Sequence, residues 1–87
     1  MPVLSLILTH RWYDKIASGE KRCEYREIKP FWNKRLFAKN YSTVRFHRGY
    51  TATTMEFELL GINETTEPND LKLSRCYRLT LGRRIYE

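Results

Sequence analysis

The sequence predicts a small α+β domain: a β pseudo-barrel of about five to six strands with one or two short helices. Three observations predict it. Several short segments carry period-2 apolar alternation, only one early segment has a clear helical pattern, and turn residues separate nearly all of them. Helices do not alternate with the strands throughout, which argues against a doubly wound parallel sheet. A curled, partly open antiparallel or mixed barrel lets so short a chain bury both an apolar first strand and later alternating ones. At 87 residues, positions 1–87 make a single domain with one modest core.

Val3-Leu4-Ser5-Leu6-Ile7-Leu8 opens the chain as a buried strand, too short for a helix and stopped at Thr9. Thr9 suits an N-cap for a helix over residues 10–18, whose apolar face would hold Trp12, Ile16 and Ala17. Gly19 ends it in a left-handed conformation. A second strand spans about Lys21 to Ile28, with Cys23 and Tyr25 on one face and Arg22, Glu24, Arg26 and Ile28 on the other. Lys29-Pro30 breaks it, and the spacing of Phe31, Trp32, Leu36 and Phe37 predicts one or two helical turns with Pro30 first. Thr43 to Arg48 follows as a strand with Val44 and Phe46 inward, left through a turn or bulge at Gly49. Thr53 to Ile62 alternates Met55, Phe57 and Leu59 against polar neighbours, and Gly61 bends its end. Asn63 to Ser74 is polar and reads as a loop. Cys76 to Leu81 is a further strand, Gly82 interrupts it, and Ile85-Tyr86 forms a last short one.

Composition bounds the function. Lys and Arg number 16 against 10 Asp and Glu, a net charge of +6. That favours an anionic partner, nucleic acid first, although a basic protein with no such partner has the same composition. The charge is spread along the chain rather than gathered on one amphipathic helix, which argues against a membrane surface. No apolar run approaches the roughly 20 residues of a membrane span, and no basic n-region or cleavage pattern marks a signal peptide. A cytoplasmic chain is expected, with a monomer as its simplest state. Cys23 and Cys76 lie far apart on apolar faces, and His10 and His47 do not cluster, so neither disulfide nor metal is expected. Phosphate-loop and dinucleotide glycine patterns are absent, as is any Ser/His/Asp arrangement, and no cofactor is expected.

The densest mixed charge lies in Gly19-Glu20-Lys21-Arg22-Cys23-Glu24-Tyr25-Arg26. Gly19-x-Lys21-x-x-Glu24-x-Arg26, placed after a strand–helix pair and leading into a strand, resembles the ASCH domain, a family of the PUA-like superfamily. Val44-Arg45-Phe46-His47-Arg48-Gly49 and Phe57-Glu58-Leu59-Leu60-Gly61-Ile62 are similar to barrel strands of that family. The resemblance implies a PUA-like barrel whose Lys, Glu and Arg line a cleft between barrel and helix, and a role in binding RNA or a nucleotide-like ligand. Some relatives are hydrolases, including an amidohydrolase acting on acetylated cytidine and a ribonuclease. In the amidohydrolase-like branch a Lys corresponds to Lys21 and a Thr nucleophile to position 24. Here Glu24 stands there, and a carboxylate would form an anhydride-type intermediate or act as a base instead.

The expectation is therefore a basic cleft for RNA or a nucleoside-type ligand, built from Lys21, Arg22, Glu24, Arg26, Arg45 and His47, with Arg48 and Tyr50 at its rim. Arg26, Arg45 and Arg48 suit phosphates. Tyr25, Trp32 and Tyr50 are candidate stacking platforms, with burial in the core the plainer reading for Tyr25 and Trp32. Glu24 would clamp its flanking arginines or accept from a base amino group. A hydrolase acting on a modified nucleoside or on RNA would use Lys21 and Glu24, with His47 as acid or base; a solvated His47 is the plainer reading. A protein-interaction module would instead leave the Arg22, Glu24 and Arg26 face flat and exposed.

Overall fold

The computed structural model describes residues 2–86 and contains five strands and two helices. They run β1 (Val3–Leu8), α1 (His10–Ala17), β2 (Cys23–Arg26), α2 (Pro30–Leu36), β3 (Thr43–Arg48), β4 (Thr54–Thr65) and β5 (Cys76–Ile85). The fold is α+β, as the alternation pattern predicts. All strands join one sheet in the order β1-β3-β4-β5-β2. β1 pairs parallel to β3, and every other pairing is antiparallel. The sheet curls into a half-barrel, and its two edge strands, β1 and β2, are the ones α1 connects.

The interior follows the period-2 rule strand by strand. Leu4, Leu6 and Leu8 point inward, as do Val44 and Phe46, Met55 and Phe57, and Tyr77 and Leu79. α1 adds Tyr13 and Ile16, and α2 adds Leu36. Each such side chain removed from water contributes about 1.5–3 kcal/mol.

Several local expectations are corrected. β1 is not buried on both faces. It is an edge strand paired only with β3, so Val3, Ser5 and Ile7 face outward and Ile7 remains 48% exposed. Tyr13, not Ala17, joins Ile16 on the buried face of α1, while Trp12 is half-buried. Thr9 occupies the N-cap with extended backbone, but its side chain makes no capping hydrogen bond. β4 extends to Thr65, taking in the first residues of the expected loop, because β5 pairs with it as far as Thr65 opposite Cys76. Gly82 does not interrupt β5: the strand runs through to Ile85, and a Cβ at Gly82 would lie 3.0 Å from Glu58 Cβ on β4. Tyr86 falls outside the strand. Register shifts around Leu59 and Gly61 bend the sheet there.

Gly19 and Gly49 both adopt positive φ, +83° and +58°. Gly19 turns the chain from α1 towards β2. Gly49 N–H donates to Leu8 O at 2.7 Å and ties the end of β3 to the end of β1. Cys23 and Cys76 are free thiols, the second fully buried. No helix among the described residues is long and apolar enough to cross a membrane.

Phe46 is the largest of the fully buried side chains. Phe46→Ala is expected to cost about 3–5 kcal/mol of unfolding free energy, read as a fall in the urea midpoint.

Candidate functional site

β2 carries the site because its inward face is polar. Glu24 pairs in register with Leu79 and Arg26 with Tyr77, so their side chains point to the same side as the core of β5. A four-residue edge strand places them where the half-barrel is open, beside β1. Glu24 is only 6% exposed, which demands partners for its carboxylate. It has three. Oε1 accepts from Lys21 Nζ at 2.8 Å and from Tyr25 N–H at 3.0 Å, and Oε2 accepts from the Arg26 guanidinium at 2.9 Å.

The row continues at both ends. Lys21 also pairs with Asp70, which reaches in from the segment between β4 and β5. Asn69 folds that segment: its Oδ1 accepts from Leu71 and Leu73 N–H, and its Nδ2 donates to the Glu67 and Leu73 carbonyls. At the other end Arg26 donates to Ile7 O of β1 at 3.4 Å, bridging the two edge strands. Tryptophans wall both ends. Lys21 Nζ sits 4.5 Å from the Trp12 ring centre, and Arg26 Cζ sits 4.9 Å from that of Trp32. Arg26 Nε is buried without a hydrogen-bond partner. Beneath the row, on the opposite face of β2, the Cys23 thiol donates to Tyr25 Oη at 3.2 Å. Contact with Cys23, then burial, push the Tyr25 phenol up to about 12.

Where a basic cluster is expected the row is charge-balanced: Lys21 and Arg26 against Glu24 and Asp70. Burial is the reason, since unpaired charges do not survive it. Nor is this a flat exposed face, because Glu24 is buried and Arg26 half-buried. Arg22 precedes the strand, is exposed, and lines a depression with Lys21, Ile16, Phe57 and Leu81 that Glu24 and Arg26 do not enter.

The other expected site residues lie elsewhere. Arg45 and His47 alternate with the inward Val44 and Phe46, so they occupy the outer face of β3. Arg45 pairs with Glu56 of β4 at 2.8 Å, directly opposite in register. Arg48 grips Asp14 of α1 through two hydrogen bonds of 3.0 Å. His47 and the almost wholly exposed Tyr50 line a groove on the outer side, together with Ser5, Ile7 and Arg35. The sequence-based list therefore divides into an inner row, two arginines held by their own carboxylates, and an outer groove.

Two members of the inner row escaped sequence reasoning. Asp70 lies in a polar segment with no periodicity to orient it, and Trp12 reads as an ordinary core position on a helix face. The one available signal for Trp12 was its place on the helix immediately before the Lys21 motif.

Compared with known proteins, the chain matches no family model, no curated protein and no solved structure.

Two outcomes are expected. Glu24→Ala leaves Lys21 and Arg26 without their shared carboxylate and should cost about 3 kcal/mol in a urea melt, the lower end for a broken buried ion pair; Glu24→Gln, which keeps the shape, should cost less. The hydrogen bond from Arg48 holds the Asp14 carboxyl below its ordinary value. A depressed folded-state value contributes stability above about pH 4 and loses it as pH falls through that value. Urea midpoints measured from neutral to acid pH should therefore fall less for Asp14→Asn than for the parent chain.

Proposed function

We propose that the chain is an ASCH-like, PUA-like domain that binds RNA or a nucleoside-type ligand in the cleft between the half-barrel and α1. The observation that carries this reading is the meeting of Lys21, Glu24 and Arg26 in one row walled by Trp12 and Trp32. These motif positions are seven residues or fewer apart in sequence, yet what makes them a recognition surface is the pair of aromatic rings that two separate helices supply. A charge-balanced row suits the edge of a base, which presents donors and acceptors together, better than it suits a bare phosphate. Stacking on an indole face adds about 1–3 kcal/mol per base.

A second reading, a small hydrolase acting on a modified nucleoside or on RNA, draws support from Asp70. It gives Lys21 two carboxylate neighbours, Glu24 and Asp70. With an N-acylated nucleoside, one carboxylate would take a proton from water as the oxygen adds to the acyl carbon. The C–N bond then breaks, and the proton passes to the departing amine.

NMR titration of labelled protein with nucleosides and short RNAs tests the main reading. Shifts at the Trp12 and Trp32 indoles and at Lys21, Glu24 and Arg26 are expected, and nucleoside shifts should change little with salt because the row carries no net charge. A spectrum unmoved by the whole panel would overturn it. Turnover of acetylated cytidine, compared between the parent chain and Lys21→Ala, tests the second; equal activity would remove Lys21 from the mechanism.

A further inference from the structure

The net charge of +6 is not carried by the cleft. Every described Asp and Glu pairs with a Lys or Arg: Asp14 with Arg48, Glu20 with Lys15, Glu27 with Lys29, Glu56 with Arg45, Glu58 with Arg83, Glu64 with Arg75, Glu67 with Arg78, and Glu24 and Asp70 within the row. Among the described residues, Arg11, Arg22, Lys34, Arg35, Lys39, Lys72 and Arg84 have no carboxylate partner. Three of these, Lys34, Arg35 and Lys39, lie within six positions of one another, on α2 and the segment that leaves it.

The same region exposes aromatic rings. Phe31 is 61% exposed, Phe37 54% and Tyr50 95%. Two of them are held in place rather than loose. Phe31 stands edge-on to Trp32 with ring centres 4.8 Å apart, and Phe37 edge-on to Tyr77 at 5.4 Å. Arg35 is fixed as well, donating to Ser5 O of β1 at 2.5 Å.

Three depressions adjoin one another across this surface. The first, about 320 Å³, holds Tyr50 with Arg35 and His47. The second, about 270 Å³, holds Phe31 with Lys34 and Arg35. The third, about 240 Å³, holds Phe37 with Lys39. Arg35 lines both the first and the second, and Tyr41 both the second and the third, so the three are neighbours in series. No Asp or Glu lines any of them.

We infer that this outer face, running from Tyr50 across α2 to Phe37, is a docking track for single-stranded nucleic acid. Each depression pairs one exposed ring with at least one cation. That alternation matches a strand in which a stackable base recurs with every phosphate. An anionic membrane would favour one continuous apolar band facing a cationic rim, and here rings and cations are interleaved. An acidic peptide would use the cations but offers no planar group for each ring. Lys21, Glu24 and Arg26 line none of the three depressions, and the track meets their row only where Phe31 packs on Trp32.

The test is fluorescence anisotropy of labelled oligouridylate and oligothymidylate across a salt series, with the intact chain. The parent protein should bind, with affinity falling as salt rises. Each phosphate contact on a single strand contributes about 0.7 to the logarithmic salt slope, so K34Q/R35Q/K39Q should flatten that slope by about 2. The variant K72Q/R75Q/R83Q removes the same charge elsewhere and should leave the slope near the parent value. Phe31→Ala should weaken binding about tenfold without changing the slope. Circular dichroism of each variant confirms folding, and Phe31→Ala, at an exposed position, keeps the test usable if the triple variant unfolds. A preference for the ribose strand over the deoxyribose strand would identify RNA as the source. Equal loss in both triple variants, or an unaltered affinity in Phe31→Ala, would overturn the track. So would binding to anionic lipid vesicles or polyglutamate with no binding to either strand. Nucleoside shifts at Trp12 and Trp32 without strand binding would overturn the track alone and leave the cleft reading standing.

Discussion

The carboxylate of Glu24 is the interaction on which the rest of the site depends. It is buried on the inward face of an edge strand, where an unpaired charge would be untenable. Lys21, Arg26 and the Tyr25 amide satisfy it together. The cost of burying that charge is thereby converted into position: the lysine is held against Trp12 and the arginine against Trp32. Arg26 then reaches the Ile7 carbonyl and links β2 to β1 across the open side of the half-barrel. One anion thus orders the site and fastens the seam of the fold.

The sheet order explains why the polar row can exist at all. β2 is four residues long and pairs only with β5. A central strand with Glu and Arg on its inward face would have to bury them against apolar neighbours on both sides. At the edge, facing a gap that α1 spans, the same residues meet other polar groups and partial solvent. The parallel pairing of β1 with β3 has a comparable consequence on the opposite side. It leaves β1 at the other edge with Ser5 and Ile7 outward, where α2 lays Arg35 across the Ser5 carbonyl. Site and groove are products of the same two edges.

Charge is divided between them unequally. Ion pairing neutralises the buried row and every described carboxylate, and leaves seven cations unpartnered among the described residues, of which Lys34, Arg35 and Lys39 are gathered on and just after α2. A chain whose composition suggests one basic cleft therefore presents a charge-balanced, largely buried row and a basic, aromatic face beyond it. The distinction matters physically, because salt screens exposed charges strongly and buried pairs weakly.

Much of the fold was legible from local pattern. Alternation within β1, β3, β4 and β5 assigned Leu4, Phe46, Phe57 and Leu79 to the interior, Pro30 marked the first turn of α2, and Gly19 ended α1. These signals are local because strand pleat and helix termination are decided by a residue and its near neighbours. The motif also put Glu24 and Arg26 on one face of β2. What sequence could not decide was which face is inward, since a row of Arg and Glu reads as solvated until its strand is known to lie at the seam of a barrel. Nor could it unite Asp70, Trp12 and Trp32 with Lys21, or separate Arg45, His47 and Tyr50 from it. Those relations join residues from different elements, and only sheet order, register and curl bring such elements together. The sequence by itself determined the elements and their amphipathic faces; tertiary structure alone decided which charges are buried together, because burial is a property of the closed sheet and not of any one strand.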